Sequence, residues 1–135
     1  MNLKSIISWV LRIVAAFILL QTLYFKFTAH PESVALFTKL GVEPWGRIGT
    51  GVLELITGIL LIIPATAFLG AIIGIGIMFG AIASHLMVIG IDSAGDGGQL
   101  FIMAIVVLIC CIVIALMHKT QGIALYNRFV KRPQG

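Results

Sequence analysis

Ile48-Gly-Thr-Gly-Val-Leu-Glu54-Leu-Ile-Thr-Gly-Ile-Leu-Leu-Ile-Ile63 is a run of aliphatic residues, glycine and threonine with one carboxylate inside it, and Pro64 follows at once. As a helix rising about 1.5 Å per residue, such a run covers most of the hydrocarbon core of a bilayer. Pro64 marks its end, because proline has no amide proton with which to continue the ladder. An ionisable group within a span costs on the order of 3 kcal/mol on insertion scales, so Glu54 needs either a partner or a task.

Working outward, three more apolar segments complete the pattern. With the Glu54 span taken as 47–63, the others are 5–27, 67–91 and 99–117. The 135 residues are 60% hydrophobic and only 10% charged, with a mean hydropathy of +1.15; soluble domains carry about 25% charged residues. Nothing alternates with the two-residue period of a membrane β-barrel. The chain therefore reads as a single domain over 1–135, all-α, an integral membrane four-helix transmembrane bundle that ends in a basic tail over 118–135. In the first loop, Pro31 and Glu32 are a helix start and Gly41 a stop. Between them Ser33, Val34, Phe37 and Leu40 share a face, which predicts a short interfacial helix able to cap the bundle.

Lys4 followed by an apolar run also describes a cleaved leader, but Arg12 splits the run and no small-x-small site precedes the polar segment, so a retained helix is expected. Lys119, Arg128, Lys131 and Arg132 follow the last span, whereas the third loop, 92–99, has two acids and no base. The positive-inside rule then puts both termini in the cytoplasm, with the first and third loops outside. Lys26, Lys39 and Arg47 in and beside the first loop pull mildly the other way. The basic tail also suits anionic lipid headgroups. The net charge of +4 is a topology signal, with no nucleic-acid partner implied.

Counting residues along each span gives depth. Glu54 lies seven residues past Arg47, about 10 Å in, and His85 lies at similar depth from the outer end of the third span. Lys26 closes the first span on the outer side, and Gln99 opens the fourth from there. Four helices thus bring Lys26, Glu54, His85 and Gln99 into the outer half, with Glu54 and His85 expected to form a hydrogen-bonded pair. Arg12 is on the face of Lys26 but fourteen residues earlier, about 21 Å away along the axis, nearer the inner side. These five residues are the candidate ligand-binding set. His30 and His118 are expected to be solvated. Gly70 and Gly74, then Gly76, Gly80 and Ser84, recur every fourth residue, and Gly51 and Gly58 are seven apart; small residues in register let helix backbones pack closely, within the bundle or between two copies of the chain.

Several chemistries have no support. One His and one Glu are too few for a metal. Cys110 and Cys111 are adjacent, point about 100° apart on a helix and form no CxxC motif, so they read as small buried residues. No GxGxxG, Walker A, GxSxG or HExxH motif occurs.

Leu11-Arg12, Lys26 fourteen residues on, Gly51-Val-Leu-Glu54-Leu-Ile-Thr-Gly58-Ile-Leu-Leu61 and Met78-Phe-Gly-Ala-Ile-Ala-Ser-His85-Leu together resemble the DoxX family of small bacterial membrane proteins, over roughly 10–86. Members often have glycine three residues before the first-span lysine; Leu23 stands there. The resemblance implies a bacterial inner-membrane four-helix bundle, related to sterol-isomerase-like and sigma-2-receptor-like proteins whose helices enclose a pocket for hydrophobic ligands. It matches Arg12, Lys26, Glu54 and His85 to the family's motif positions, and it implies no single reaction: some members are linked by name to quinone-dependent thiosulfate oxidation, others to redox complexes or to chaperoning.

Two readings of function follow. In one, the outer half binds a small hydrophobic molecule such as a quinone, whose carbonyls want donors at one end of an apolar slot, and any redox role needs a partner protein because the chain has no redox centre of its own. In the other, the chain is an accessory or assembly subunit and its polar cluster is structural. Four helices with no inverted repeat give a transporter little support.

Overall fold

The computed structural model describes residues 2–92 and 95–130; Lys131 and Arg132 of the basic tail, and part of the third loop, lie outside the described residues. Among these, the chain is helical throughout, with no strand. Helix α1, Leu3–Gln21, is capped by Asn2, whose Oδ1 accepts from Ser5 N at 2.9 Å. It breaks for one residue at Thr22, whose hydroxyl bonds back to Leu19 O at 2.8 Å, and resumes as α2, Leu23–Phe27. Back-bonding of this kind bends helices.

The expected loop helix is α3, Pro31–Lys39, with proline in its first turn and His30 Nδ1 accepting from Glu32 N at 3.3 Å. Helix α4, Trp45–Ile62, carries Glu54, and a 3-10 turn over Pro64–Thr66 leads directly into α5, Ala67–Ser84. Helix α5 widens into a π-helical turn, His85–Ile89, which Gly90 ends at φ +88°. Helix α6, Gln99–Met117, completes the bundle. Asp96 starts it, accepting from Gly98 N at 2.8 Å and Leu100 N at 3.1 Å.

The segment read as a tail contains a further helix, α7, Lys119–Phe129. Gln121 docks it, donating to Pro64 O at 2.8 Å and accepting from Phe68 N at 3.1 Å. Two tertiary bonds from one amide leave no periodic trace in a sequence.

Helix α1 packs on α4 and α6, and α5 packs on the same two, so neighbours are antiparallel around a closed ring. Ala15, Leu19, Leu61, Ala71, Val107 and Ile114 form its core. The outer surface is apolar: Ile13, Phe17, Phe79 and Ile109 are each more than half exposed. A soluble protein would not leave aliphatic and aromatic faces of this extent in water. Among the described residues, four helices are long and apolar enough to cross a membrane: Leu3–Phe27, Trp45–Ile62, Pro64–Ile89 and Gln99–Met117. The protein is a multi-pass membrane protein whose outer faces meet lipid.

The glycines divide in a way their spacing does not foretell. A Cβ at Gly58 would lie 2.8 Å from Leu20 Cδ2, at Gly70 2.9 Å from Leu61 N, and at Gly74 2.7 Å from Cys111 Sγ; at Gly76 and Gly80 it would meet nothing within 4 Å. Close helix packing therefore holds for Gly70 and Gly74 and fails for Gly76 and Gly80, because the helices part toward that end of the bundle. Gly70→Ala, which presses on backbone, is expected to cost about 1–3 kcal/mol, whereas Gly76→Ala stays within about 0.5 kcal/mol of wild type. Thermal unfolding in detergent compares them; equal midpoints would contradict this packing.

Candidate functional site: a polar-ended cavity

Where the helices part, a cavity of about 610 Å³ opens at the end of the bundle that carries the first and third loops. Leu19, Phe25, Phe37, Met78, Met103 and Val107 supply apolar wall, and α3 lies over it. Thr22, Lys26, Glu54, His85 and Gln99 line it as well.

Glu54 is 5% exposed. Its Oε2 lies 3.0 Å from Lys26 Nζ and 3.2 Å from Thr22 Oγ1. Both contacts fall on one oxygen, so Oε1 has no hydrogen-bond partner among the described residues. The Thr22 proton is shared with Leu19 O. Lys26 is itself positioned by Arg47, which is buried at the start of α4: Nη1 donates to the Lys26 carbonyl, and Nε donates to Glu43 Oε1 at 2.8 Å and Oε2 at 3.1 Å. From the sequence, Arg47 had a place as a topology charge and as a marker of depth, and no partner. Its spacing of four from Glu43, just ahead of the start of α4, was the available signal.

The expected hydrogen bond between Glu54 and His85 is not formed. Lys26 takes the carboxylate, its flexible ammonium neutralising a buried charge. His85 Nδ1 instead bonds Gly90 O at 3.0 Å, within the π-helical turn that also joins Gly90 N to His85 O at 2.7 Å. Since the carbonyl can only accept, Nδ1 carries a proton, and Nε2 is the ring nitrogen left for the cavity. Phe101 meets the ring edge-on, centroids 5.8 Å apart. Lys39 Nζ donates to Ile89 O at 3.3 Å, tying α3 to the end of that turn. A π-helical turn of this kind has no recognisable composition, and such turns recur at functional sites.

Lys26, Glu54, His85 and Gln99 thus line one cavity, and Arg12 does not. It lies at the other end of the bundle, in a smaller pocket with Ser8 and His118. The separation along α1 is the physical reason, since a guanidinium reaches about one turn and not four. His118, expected to be solvated, is bonded to Ser8 Oγ through Nε2 at 2.7 Å and to Gln121 Nε2 through Nδ1 at 3.3 Å. Cys110 and Cys111 are buried in the core.

The arrangement offers a ligand one fixed cation, one free carboxylate oxygen and one imidazole nitrogen at the end of an apolar slot. Lys26→Met should cost about 3–5 kcal/mol, since it leaves the Glu54 carboxylate buried and unpaired, and Glu54→Gln should cost less, since Lys26 is only partly buried. The double variant is expected to cost less than the sum, with a coupling of at least about 1 kcal/mol; strictly additive midpoints in detergent would show that the two charges do not interact.

Residues 10–116 match the family model described as the DoxX-like family. No curated protein matches the chain, and no solved structure does. The family match covers all four spans apart from the ends of the first and last, and takes in Arg12, Lys26, Glu54, His85 and Gln99. The chain belongs to the DoxX-like family.

Proposed function

We propose that this protein binds a small hydrophobic molecule with one polar end in the cavity at the loop end of the bundle. The observation that carries the reading is Glu54: a buried carboxylate with one oxygen held by Lys26 and the other unpartnered at a cavity surface. The unpartnered oxygen is open to the cavity, where a ligand hydroxyl can donate to it. The volume falls within the range of small-molecule sites, about 300–1,000 Å³.

A quinone-type ring is the candidate of choice. A ring carbonyl accepts from Lys26 Nζ, and the hydroxyl of its reduced form donates to Glu54 Oε1 or His85 Nε2, so the same groups serve both oxidation states. Electrons would come from a membrane redox partner, making the chain a binding subunit of a larger system. Lys119 and Arg128 at the opposite end favour a cytoplasmic location for both termini in a bacterial inner membrane, with the cavity on the outer side.

The alternative, an accessory or assembly subunit with a structural polar cluster, draws on the same ion pair, since Lys26 and Glu54 also join α2 to α4. Native mass spectrometry of mildly extracted protein separates the two. The wild type is expected to carry a small-molecule adduct that both Glu54→Gln and Gly80→Phe lose. The second variant fills the cavity from an open position and leaves the ion pair intact. An adduct retained by both folded variants rules out the cavity as its site, and a wild type with no adduct, or with only a co-purifying protein, favours the accessory role.

A further inference from the structure

The cavity uses none of the chemistry at the opposite end of the bundle. All five acidic residues, Glu32, Glu43, Glu54, Asp92 and Asp96, lie in the first loop, the first half of α4 or the third loop. The other end carries Lys4, Arg12, His118, Lys119 and Arg128, so its cations have no side-chain carboxylate within reach.

Arg12 is the exceptional member. It is 2% exposed, and its Nε and Nη1 are buried with no hydrogen-bond partner among the described residues. Its contact is with Trp9, whose ring centroid lies 3.9 Å from the guanidinium carbon. That cation–π contact holds the plane of the group and consumes none of its N–H donors. A buried charge without hydrogen bonds is among the most costly features a fold can keep. The guanidinium borders a pocket of about 250 Å³ that Lys4, Ser5, Ser8, Trp9 and His118 also line.

Hydrogen-bond directions identify another donor there. Gln121 Oε1 accepts from Phe68 N and its Nε2 donates to Pro64 O, which sets the orientation of the amide. Gln121 Nε2 therefore faces His118 Nδ1 as a donor, and Nδ1 must accept. The ring proton is then on Nε2 and goes to Ser8 Oγ, leaving the Ser8 hydroxyl proton free to point elsewhere. Burial, then the Arg12 and Lys4 cations, hold the His118 pKa below its ordinary value, in keeping with a neutral ring.

We propose that this pocket is an anion site for a phosphate-class oxyanion, its oxygens taking N–H donors of the Arg12 guanidinium, the Ser8 hydroxyl and the Lys4 ammonium. The parallel donors of a guanidinium edge match two oxygens of a tetrahedral phosphate. The anion is either the phosphodiester of a lipid headgroup or free phosphate; the chemistry is shared, and the sources are separable. The site is independent of the cavity at the loop end.

The test uses the full chain in detergent, stripped of lipid, as wild type, Arg12→Gln, Arg12→Lys and Lys4→Gln. Dioleoylphosphatidylglycerol and dioleoylglycerol, which differ in the phosphate headgroup, are titrated in native mass spectrometry. Inorganic phosphate is added alone, with thermal unfolding as the readout, and then as a competitor. Wild type is expected to prefer the phospholipid over the diacylglycerol at least about tenfold, and Arg12→Gln to lose that preference. Arg12→Lys should restore part of it and Lys4→Gln should weaken it severalfold, while Glu54→Gln leaves it intact. Retention of the phospholipid against millimolar phosphate identifies the headgroup as the source; displacement, with phosphate raising the midpoint of wild type alone, identifies the free anion. Equal binding of both lipids by wild type, with no stabilisation by phosphate, would overturn the proposal. Should Arg12→Gln fail to fold, Lys4→Gln decides, because Lys4 is exposed and its loss leaves the packing unchanged.

Discussion

A carboxylate enclosed by aliphatic side chains has to be met by a cation, and the meeting of Glu54 with Lys26 organises one whole end of this protein. Lys26 can reach Glu54 because α1 breaks at Thr22 and α2 carries the lysine to the level of the carboxylate on α4. Arg47 secures the arrangement from the other side by holding the Lys26 carbonyl, with Glu43 balancing its charge. Two ion pairs are thereby stacked along the junction of α2 and α4. A buried pair is poor as a source of net stability. Its effect here is on position, since a break, a short helix and a loop are all drawn to one side of the bundle.

That side is consequently the open one. At the opposite half, Gly58, Gly70 and Gly74 let α1, α5 and α6 close on their neighbours with no room for a methyl group. Toward the loops the same small-residue periodicity continues on α5, but Gly76 and Gly80 face space. The π-helical turn then displaces the end of α5, so that His85 and Gly90 bond each other and leave one imidazole nitrogen for the cavity. One helix thus provides a packing surface along its first half and a cavity wall along its second.

How much of this was legible in the sequence depends on which coordinate is asked for. Depth was legible: a fixed rise per residue ties position in a span to position across the membrane, and Lys26, Glu54, His85 and Gln99 do line one cavity. Separation was legible too, as Arg12 is four turns from Lys26 on one helix. Rotation about each helix axis was not, and it decides partners; hence the carboxylate pairs with Lys26 and the imidazole with a backbone carbonyl. The π-helical turn was illegible because HLMVI reads as ordinary apolar helix. Helix α7 was hidden for another reason: its docking rests on Gln121 and on the close approach of Gly122 to Phe68, specific contacts with no pattern that repeats.

The central claim is that the free oxygen of Glu54 belongs to a ligand. Isotope-edited infrared spectroscopy of protein labelled at its glutamate carboxyl carbons reads that oxygen directly, with the Glu54 band assigned by its absence from a glutamine variant. The account predicts that the band shifts when the molecule retained from the membrane is stripped away and returns when it is restored. A Glu54 band that is the same before and after stripping would contradict it, and would leave the ion pair as a structural tie and nothing more.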